Sequence, residues 1–114
     1  MIDRTLVSAL PIFAGMEESA LDKLLSNAVQ RPVAKGAKVF EQGQKATSFY
    51  LLLQGRLKVM QVTAGGQQLI VRVVHPGDLF GFALAIGRTE YPGTPIAVAD
   101  SIVLAWPMNM MNSF

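Results

Sequence analysis

The first regular pattern along the chain is an apolar stripe near the N-terminus. Four apolar residues recur at the i, i+3, i+4 and i+7 spacing of one helix face: Leu21, Leu24, Leu25 and Ala28. Glu17 and Glu18 precede them, where the helix dipole favours acidic side chains. A shorter apolar segment, residues 6–10, comes earlier and is stopped by Pro11. We therefore predict N-terminal helices over residues 1–32, closed by Pro32.

From Val33 onward, glycines divide the chain into short apolar runs. Runs rich in Val, Ile, Leu and Phe recur about every 7 to 12 residues, a spacing typical of an antiparallel sandwich or barrel. The candidate strands are residues 38–41, 48–53, 56–63, 67–74, 96–99 and 102–106. Residues 64–66 should form a hairpin loop, because glycine reaches the positive φ that tight turns require. Leu57 and Val59 alternate with polar or long side chains, so we expect them to face inward.

Two segments break the strand texture. Residues 80–88 contain a short apolar run that predicts one or two helical turns ended by Gly87. We expect this short helix to be an insertion between strands. Beyond Pro107, residues 108–114 are rich in Met and Asn and too few for a stable isolated helix. Met and Phe are unusual in a solvated tail, so this segment looks like the start of a truncated C-terminal helix.

Composition limits the kinds of site that the chain can carry. A length of 114 residues is typical of one domain. The absence of cysteine excludes disulfides, zinc-thiolate sites, iron–sulfur clusters and cysteine nucleophiles. The single histidine, His75, excludes a metal site built on a histidine pair. We therefore expect no metal site, no catalytic residues and no enzymatic activity.

Charge and hydropathy indicate neither a nucleic-acid interface nor a membrane protein. Charged residues make up 16% of the chain, against roughly 25% in an average soluble domain. The formal net charge of +2 is too mild to indicate DNA binding by this segment. No apolar run approaches the length of a membrane span, and the N-terminus lacks the features of a secretion signal. A cytoplasmic location is the expectation.

The order of glycines and apolar runs carries a family resemblance. The residues concerned are Leu10 to Ala14 with the following helix, Lys35 and Gly36, Val39 to Gly43, Ala46, Phe49 to Gly55, Leu57 to Val59, and Pro76 to Gly81. In this set the chain resembles the effector domain of the CRP/FNR transcription regulators, a cyclic nucleotide-binding domain. The match covers essentially the whole chain. Each glycine stands where a barrel corner needs a residue without a Cβ, and Asp78 can brace a turn through its carboxylate.

The resemblance implies a fold and a domain organisation. The fold is mainly β: a double-stranded β-helix, or jelly-roll-like barrel, with flanking N-terminal helices and a short inserted helix. Residues 1–114 would form a single sensor domain, with helices over 1–32, the β-roll over 33–107 and the truncated helix over 108–114. In such regulators a long helix pairs two subunits and a separate domain reads DNA. We therefore expect a homodimer, with DNA bound only through a domain outside this chain.

The family's ligand site implies a phosphate cassette that this sequence reproduces only in part. A buried cyclic phosphate needs a cation or oriented N–H donors, and a ribose hydroxyl needs an acceptor. The family's glutamate position is occupied here by Phe82, and its arginine position falls on Tyr91, Pro92 or Gly93. Thr94 matches the hydroxyl residue that follows the arginine. Two charged partners are thus missing, which disfavours tight cAMP binding.

The candidate ligand pocket is drawn from the insert and its flanks. Its residues are Gly81, Phe82, Ala83, Leu84, Tyr91, Gly93 and Thr94. Two interpretations of Phe82 stay open: its ring fills the nucleotide cavity, or it lines a pocket for an apolar or aromatic effector, with Tyr91 as a polar edge. Arg88 is a candidate phosphate partner, although an arginine ending a helix is commonly exposed. Haem is not expected, because His75 precedes Pro76 at a strand end outside the cassette.

We therefore expect a ligand-sensing domain of a CRP/FNR-type regulator with a small-molecule effector. Residues 79–94 would be the sensing element, and residues 61–69 the hairpin that contacts the partner subunit or the long helix. Two alternatives stay open. One is a functional cAMP- or cGMP-binding domain that uses altered contacts, and the other is a dimerisation module without a ligand.

Overall fold

The computed structural model describes residues 7–113, without the side chains of residues 84, 85, 112 and 113. Residues 7 and 8 are helical, helix α1 (Glu18–Ser26) precedes the strands, and short 3-10 helices lie at Pro11–Phe13, Ala83–Ile86 and Met108–Ser113. The strands are β1 (Val29–Val33), β2 (Ser48–Gln54), β3 (Leu57–Val62), β4 (Gln68–Val74), β5 (Leu79–Phe80), β6 (Thr94–Ala97) and β7 (Ser101–Pro107). The predicted mainly β class with a short inserted helix is confirmed.

Two antiparallel sheets make up the body of the fold. One has the strand order β1-β7-β2-β5, and the other has the order β4-β3-β6. Neighbouring strands in each sheet are therefore often distant in sequence, as in a jelly roll. The end of β5, the insert that follows it and part of the β3–β4 hairpin border the same space.

Strand β2 explains how the larger sheet can be covered on both faces. Its five residues from Phe49 to Leu53 are all buried. Alternate side chains of a strand point to opposite faces. Phe49, Leu51 and Leu53 accordingly join the cluster formed with the helices, while Tyr50 and Leu52 join the cluster that faces the second sheet. The continuous apolar run of β2 is the sequence signature of this double burial.

Helix α1 is attached to the sheet through its predicted apolar face. Leu21 and Leu24 are buried in the same cluster as Trp106 of β7. The indole Nε1 of Trp106 donates a hydrogen bond of 2.7 Å to the carbonyl oxygen of Leu24. That carbonyl belongs to the last turn and also accepts the Asn27 N–H at 3.2 Å. The indole bond is therefore a second bond at the helix end, and it fixes the helix against β7.

The prediction that the helical region extends to Pro32 is wrong. The helix ends at Ser26, and β1 takes residues Val29–Val33. β1 pairs only with β7, at the edge of its sheet. Proline is tolerated in an edge strand because its missing N–H can face away from the neighbouring strand. Of the predicted apolar segment 6–10, residue 6 lies outside the described part of the chain, and Val7 is fully buried.

Three further differences from the prediction concern the strands. Residues 38–41 form no strand: Lys38 makes a single bridge to Ile96, and the chain then turns as the Glu41 N–H donates to Gln44 Oε1 at 2.9 Å. β6 begins at Thr94, two residues before the predicted start. β5, a two-residue strand paired with β2, was not predicted because it is too short to show a period.

The β3–β4 hairpin contains the predicted loop and an irregularity that was not predicted. Thr63 and Gln67 close the loop through a backbone hydrogen bond of 2.9 Å, and Gly66 has a φ of +83°. Leu57 is buried and Val59 packs against the same cluster, as the alternation predicted. Beyond Val59 the register shifts, because Val59 pairs with Arg72 but Met60 pairs with Ile70. One residue of β4, Val71, is therefore bulged.

Candidate functional site

The insert after β5 begins and ends at glycines with left-handed backbone. Gly81 has a φ of +83°, and a Cβ there would lie 3.2 Å from the ring of Tyr50. A side chain at this corner would thus be strained and crowded. The 3-10 helix Ala83–Ile86 follows, and Gly87 ends it with a φ of +75°, as predicted. The Arg88 N–H then donates to the Ala83 carbonyl oxygen at 2.9 Å, which closes the turn.

A cavity of about 360 Å³ opens between this insert and the second sheet. Four of the predicted pocket residues line it: Gly81, Phe82, Ala83 and Gly93. Gly93 is needed for close approach, since a Cβ there would lie 2.8 Å from Val59 Cγ1 and 3.1 Å from the Met60 carbonyl oxygen. The size falls at the lower end of small-molecule sites, which span roughly 300 to 1,000 Å³.

Phe82 both packs on the core and borders the cavity. Its ring stacks on Phe49 with centroids 4.7 Å apart, and Phe49 in turn stacks on Trp106 at 5.5 Å. Phe82 is only partly buried by these contacts. Its ring lies beside the cavity and leaves that space open, so the insert keeps a binding-sized volume next to an aromatic wall.

Tyr91 does not line the cavity, and its side chain instead ties the segment after the insert to β2. It is 3% exposed, and its ring stacks on Phe40 with centroids 3.7 Å apart. The hydroxyl donates to the Ser48 carbonyl oxygen at 2.6 Å and accepts from the Ser48 N–H at 3.1 Å. Burial raises the pKa of Tyr91 above its ordinary value. The hydroxyl is therefore occupied by β2 backbone, and the predicted polar edge is not formed by this side chain.

Of the other predicted residues, Thr94 and Arg88 do not line the cavity, and the side chain of Leu84 is not described. Thr94 Oγ1 accepts a hydrogen bond of 2.9 Å from the Gln42 N–H. Arg88 is exposed at the end of the insert and is not among the residues that line the cavity. The side chain of Leu84 lies outside the described part of the chain. The structure thus brings together four of the eight predicted residues.

The charged lining residue that sequence reasoning missed is Arg72 of β4. Its side chain lines the cavity, and Nη2 donates a hydrogen bond of 2.8 Å to the Leu79 carbonyl oxygen. A signal existed in the sequence, since Arg72 is the only charged residue in the apolar run of β4. Strand alternation alone could not place it, because the bulge at Val71 changes which β4 side chains face the cavity.

The turn before β5 is built by its own side chains. The His75 N–H donates to Asp78 Oδ2 at 2.9 Å, and the Asp78 N–H donates to the His75 carbonyl oxygen at 3.0 Å. The Asp78 carboxylate thus braces the turn, as predicted. The His75 side chain is 55% exposed, with Nδ1 3.8 Å from the same carboxylate. Within residues 7–113, no group of three or more potential metal ligands is found.

A second concavity, of about 550 Å³, lies between the β1 end and the β7 start. It is wide and shallow, and Asp100 on its wall already accepts a hydrogen bond of 2.9 Å from the Lys35 N–H. None of its described lining residues is basic. The cavity beside the insert, which is more enclosed and lined mainly by apolar side chains, is the better candidate for a ligand.

The family's sequence profile, described as the cyclic nucleotide-binding domain, matches residues 30–114. The chain belongs to this family. It is 30% identical over 95 residues to the cyclic AMP receptor protein of Thermus thermophilus. This match covers 83% of this chain and 44% of that protein. It is 32% identical over 108 residues to the fumarate and nitrate reduction regulatory protein of Escherichia coli. That match covers 93% of this chain and 42% of the regulator. The predicted resemblance to CRP/FNR regulators is confirmed.

Solved structures give the same assignment. The sensor domain of the transcriptional regulator DNR from Pseudomonas aeruginosa is similar with a TM-score of 0.83 and 27% identity, covering 96% of this chain and 74% of that one. The Thermus thermophilus catabolite activator protein is similar with a TM-score of 0.78 and 27% identity, covering 90% and 48%. The chain thus spans less than half the length of the two regulators that it matches in sequence. None of the described helices is long and apolar enough to cross a membrane.

Proposed function

We propose that this chain is the ligand-sensing domain of a CRP/FNR-type transcription regulator, with residues 79–94 as the sensing element. The cavity beside the insert would receive a small-molecule effector. The observation that carries the proposal is a space of about 360 Å³ beside the insert, walled on one side by Phe82. A ligand there would contact the insert and both sheets, so its binding could bias how the insert lies against the rest of the protein.

We further propose that the effector is not a tightly bound cyclic nucleotide. Phe82 stands where the family has a glutamate for the ribose, and an apolar ring offers the sugar hydroxyl no acceptor. The segment where the family has its arginine contributes Pro92 and Gly93 to the cavity instead. Each missing charged hydrogen bond is worth about 1.5 to 3 kcal/mol. Two of them together weaken binding by about two to four orders of magnitude.

Calorimetry with matched ligands tests this part of the proposal. We expect cAMP and cGMP to show no saturable binding to the 114-residue chain below about 1 mM, since no pair of charged partners grips the ribose and phosphate. Adenosine is the control, because it shares the base and ribose but has no phosphate. We expect adenosine to show no saturable binding in this range either. A micromolar Kd for cAMP, at least tenfold below that of adenosine, would show a working phosphate cassette and contradict the proposal.

The β3–β4 hairpin supports a proposed partner surface. Five large apolar side chains of these two strands are between 44% and 59% exposed: Val62, Leu69, Ile70, Val71 and Val73. Exposed apolar groups at this density are typical of surfaces that are covered in an assembly. We propose that a helix following this domain, together with a second copy, covers the hairpin in the regulator. The greater length of the relatives leaves chain for such a helix.

A single charge on the hairpin should weaken that assembly. We expect Ile70→Asp to raise the dimer dissociation constant of the whole regulator at least tenfold in analytical ultracentrifugation, because a buried isoleucine contributes about 1.5 to 3 kcal/mol. Val29→Asp is the matched control. Val29 is equally exposed, at 59%, but lies on β1 at the other sheet's edge. An equal effect of both substitutions, or of neither, would remove the hairpin from the interface.

A further inference from the structure

We infer that Arg72 is the charged anchor of the cavity beside the insert, and that the ligand is a small organic anion with an apolar body, such as an aromatic carboxylate. This inference rests on the proposed function of the cavity as the effector site. It adds the chemical class of the ligand and a binding residue on β4, outside the insert.

The irregular register of the hairpin places Arg72 at the cavity. Arg72 pairs with Val59, and directly opposed residues of two antiparallel strands point to the same face. Val59 packs on the inner cluster and lines the cavity, so Arg72 extends from the same face. The bulged residue Val71 also lines the cavity. A bulge commonly re-aims side chains beside a binding site, and here it brings two successive β4 residues to one wall.

The guanidinium is held in place but keeps capacity for an anion. Its Nη2 donates to the Leu79 carbonyl oxygen at 2.8 Å, which ties β4 to the strand that leads into the insert. A guanidinium has five N–H donors in a planar fork suited to a carboxylate. Among residues 7–113, no carboxylate forms an ion pair with Arg72, since the ion pairs there are Lys38–Glu41 and His75–Asp78. A ligand carboxylate could therefore complete the fork.

The remaining walls select an apolar body for this anion. Of the described residues that line the cavity, Arg72 is the only charged one, and none is acidic. Phe40, Phe80 and Phe82 supply aromatic walls, and the rest are aliphatic side chains, prolines and glycines. A sugar hydroxyl placed against these walls would lose hydrogen bonds to water without replacement. A flat apolar ring would bury its surface there while its carboxylate meets Arg72 at the exposed mouth.

Paired probes that differ only in charge test the inference. Indole-3-acetate and its neutral amide, indole-3-acetamide, are titrated into the ¹⁵N-labelled chain, and the amide shifts of Gly81, Val71 and Gly93 are followed by NMR. We expect the carboxylate to bind at least about tenfold more tightly than the amide, the lower end for a charged hydrogen bond because Arg72 is exposed. We expect Arg72→Gln to abolish that ratio and Arg72→Lys to retain part of it.

Arg88→Gln is the matched control, because Arg88 is a nearby exposed arginine that does not line the cavity. We expect this variant to keep the full preference for the carboxylate. A purely structural role of Arg72 would lower the melting temperature of Arg72→Gln and leave the carboxylate-to-amide ratio unchanged, which would overturn the inference. Equal binding of both probes, binding of neither, or a loss of preference in Arg88→Gln alone would overturn it as well. Tight cAMP binding in the calorimetric experiment is a separate result: it would contradict the exclusion of a cyclic nucleotide, but not the proposed role of the cavity as the effector site.

Discussion

We expect Trp106→Ala to lower the free energy of unfolding by about 3 to 5 kcal/mol, the usual cost of removing a large buried aromatic side chain. Trp106 is 1% exposed and stacks on Phe49 with centroids 5.5 Å apart. Its Nε1 also donates to the Leu24 carbonyl oxygen at the end of α1. The substitution would therefore open a cavity and detach the helix terminus from β7. Folded domains are stable by only about 5 to 15 kcal/mol, so a large share of the stability would be lost.

The measurement is chemical denaturation followed by circular dichroism, since the chain has one tryptophan and the variant loses its fluorescence. Trp106→Phe is the matched control, because it keeps an aromatic ring in the core and removes only the N–H donor and part of the volume. We expect Trp106→Phe to cost about 1 to 2 kcal/mol, in line with one lost hydrogen bond and a smaller void. Equal losses in the two variants would contradict the packing explanation.

The second large effect is expected at the turn between β2 and β3. We expect Gly55→Ala to lower the free energy of unfolding by about 2 to 4 kcal/mol. The φ of Gly55 is +95°, where an L-residue is strained by about 1 to 2 kcal/mol. A Cβ would also lie 2.8 Å from Ser101 Cα, a backbone atom of β7, and overpacking costs about 1 to 3 kcal/mol. The same Ser101 hydroxyl accepts the Arg56 N–H at 3.2 Å, so the clash would disturb that bond as well.

Gly43→Ala separates the two causes. Gly43 has a similar φ of +89°, but a Cβ there would meet nothing within 4 Å. The control variant should therefore show the backbone strain alone, about 1 to 2 kcal/mol in the same denaturation experiment. Gly55→Ala should cost at least about 1 kcal/mol more than Gly43→Ala. Similar losses in both would mean that the contact with Ser101 does not limit this position.

Long apolar runs and glycine corners were the parts of the fold that could be predicted. β2 was predicted because five successive apolar residues, all buried in the structure, give a strong signal. The short helix of the insert was predicted because an apolar run there ends at Gly87. β1 was not predicted, because a proline after a helical pattern usually marks the end of a helix, and residues up to Pro32 were therefore assigned to the helical region. Its strand role depends on β7, which is distant in the chain and supplies the only neighbour at that edge.

The candidate site was predictable only where its residues are close in sequence. Gly81, Phe82 and Ala83 follow one another on the insert, and Gly93 ends its return path, so all four could be assigned to the cavity beforehand. Tyr91 belongs to the same stretch, yet its hydroxyl is taken by Ser48 of β2, which lies 43 residues away in sequence. Side-chain direction in a loop is set by such distant partners, and a local pattern does not contain them.

The amino-acid sequence alone determined the β-rich class, the positions of the sharp turns and the absence of cysteine. These properties follow from residue type and local spacing, because glycine conformation and apolar periodicity act over a few residues. Only the tertiary structure decided that a cavity remains beside Phe82 and that Arg72 reaches it. Both depend on how one bulged residue in β4 sets the register of a hairpin against an insert that arrives from another sheet.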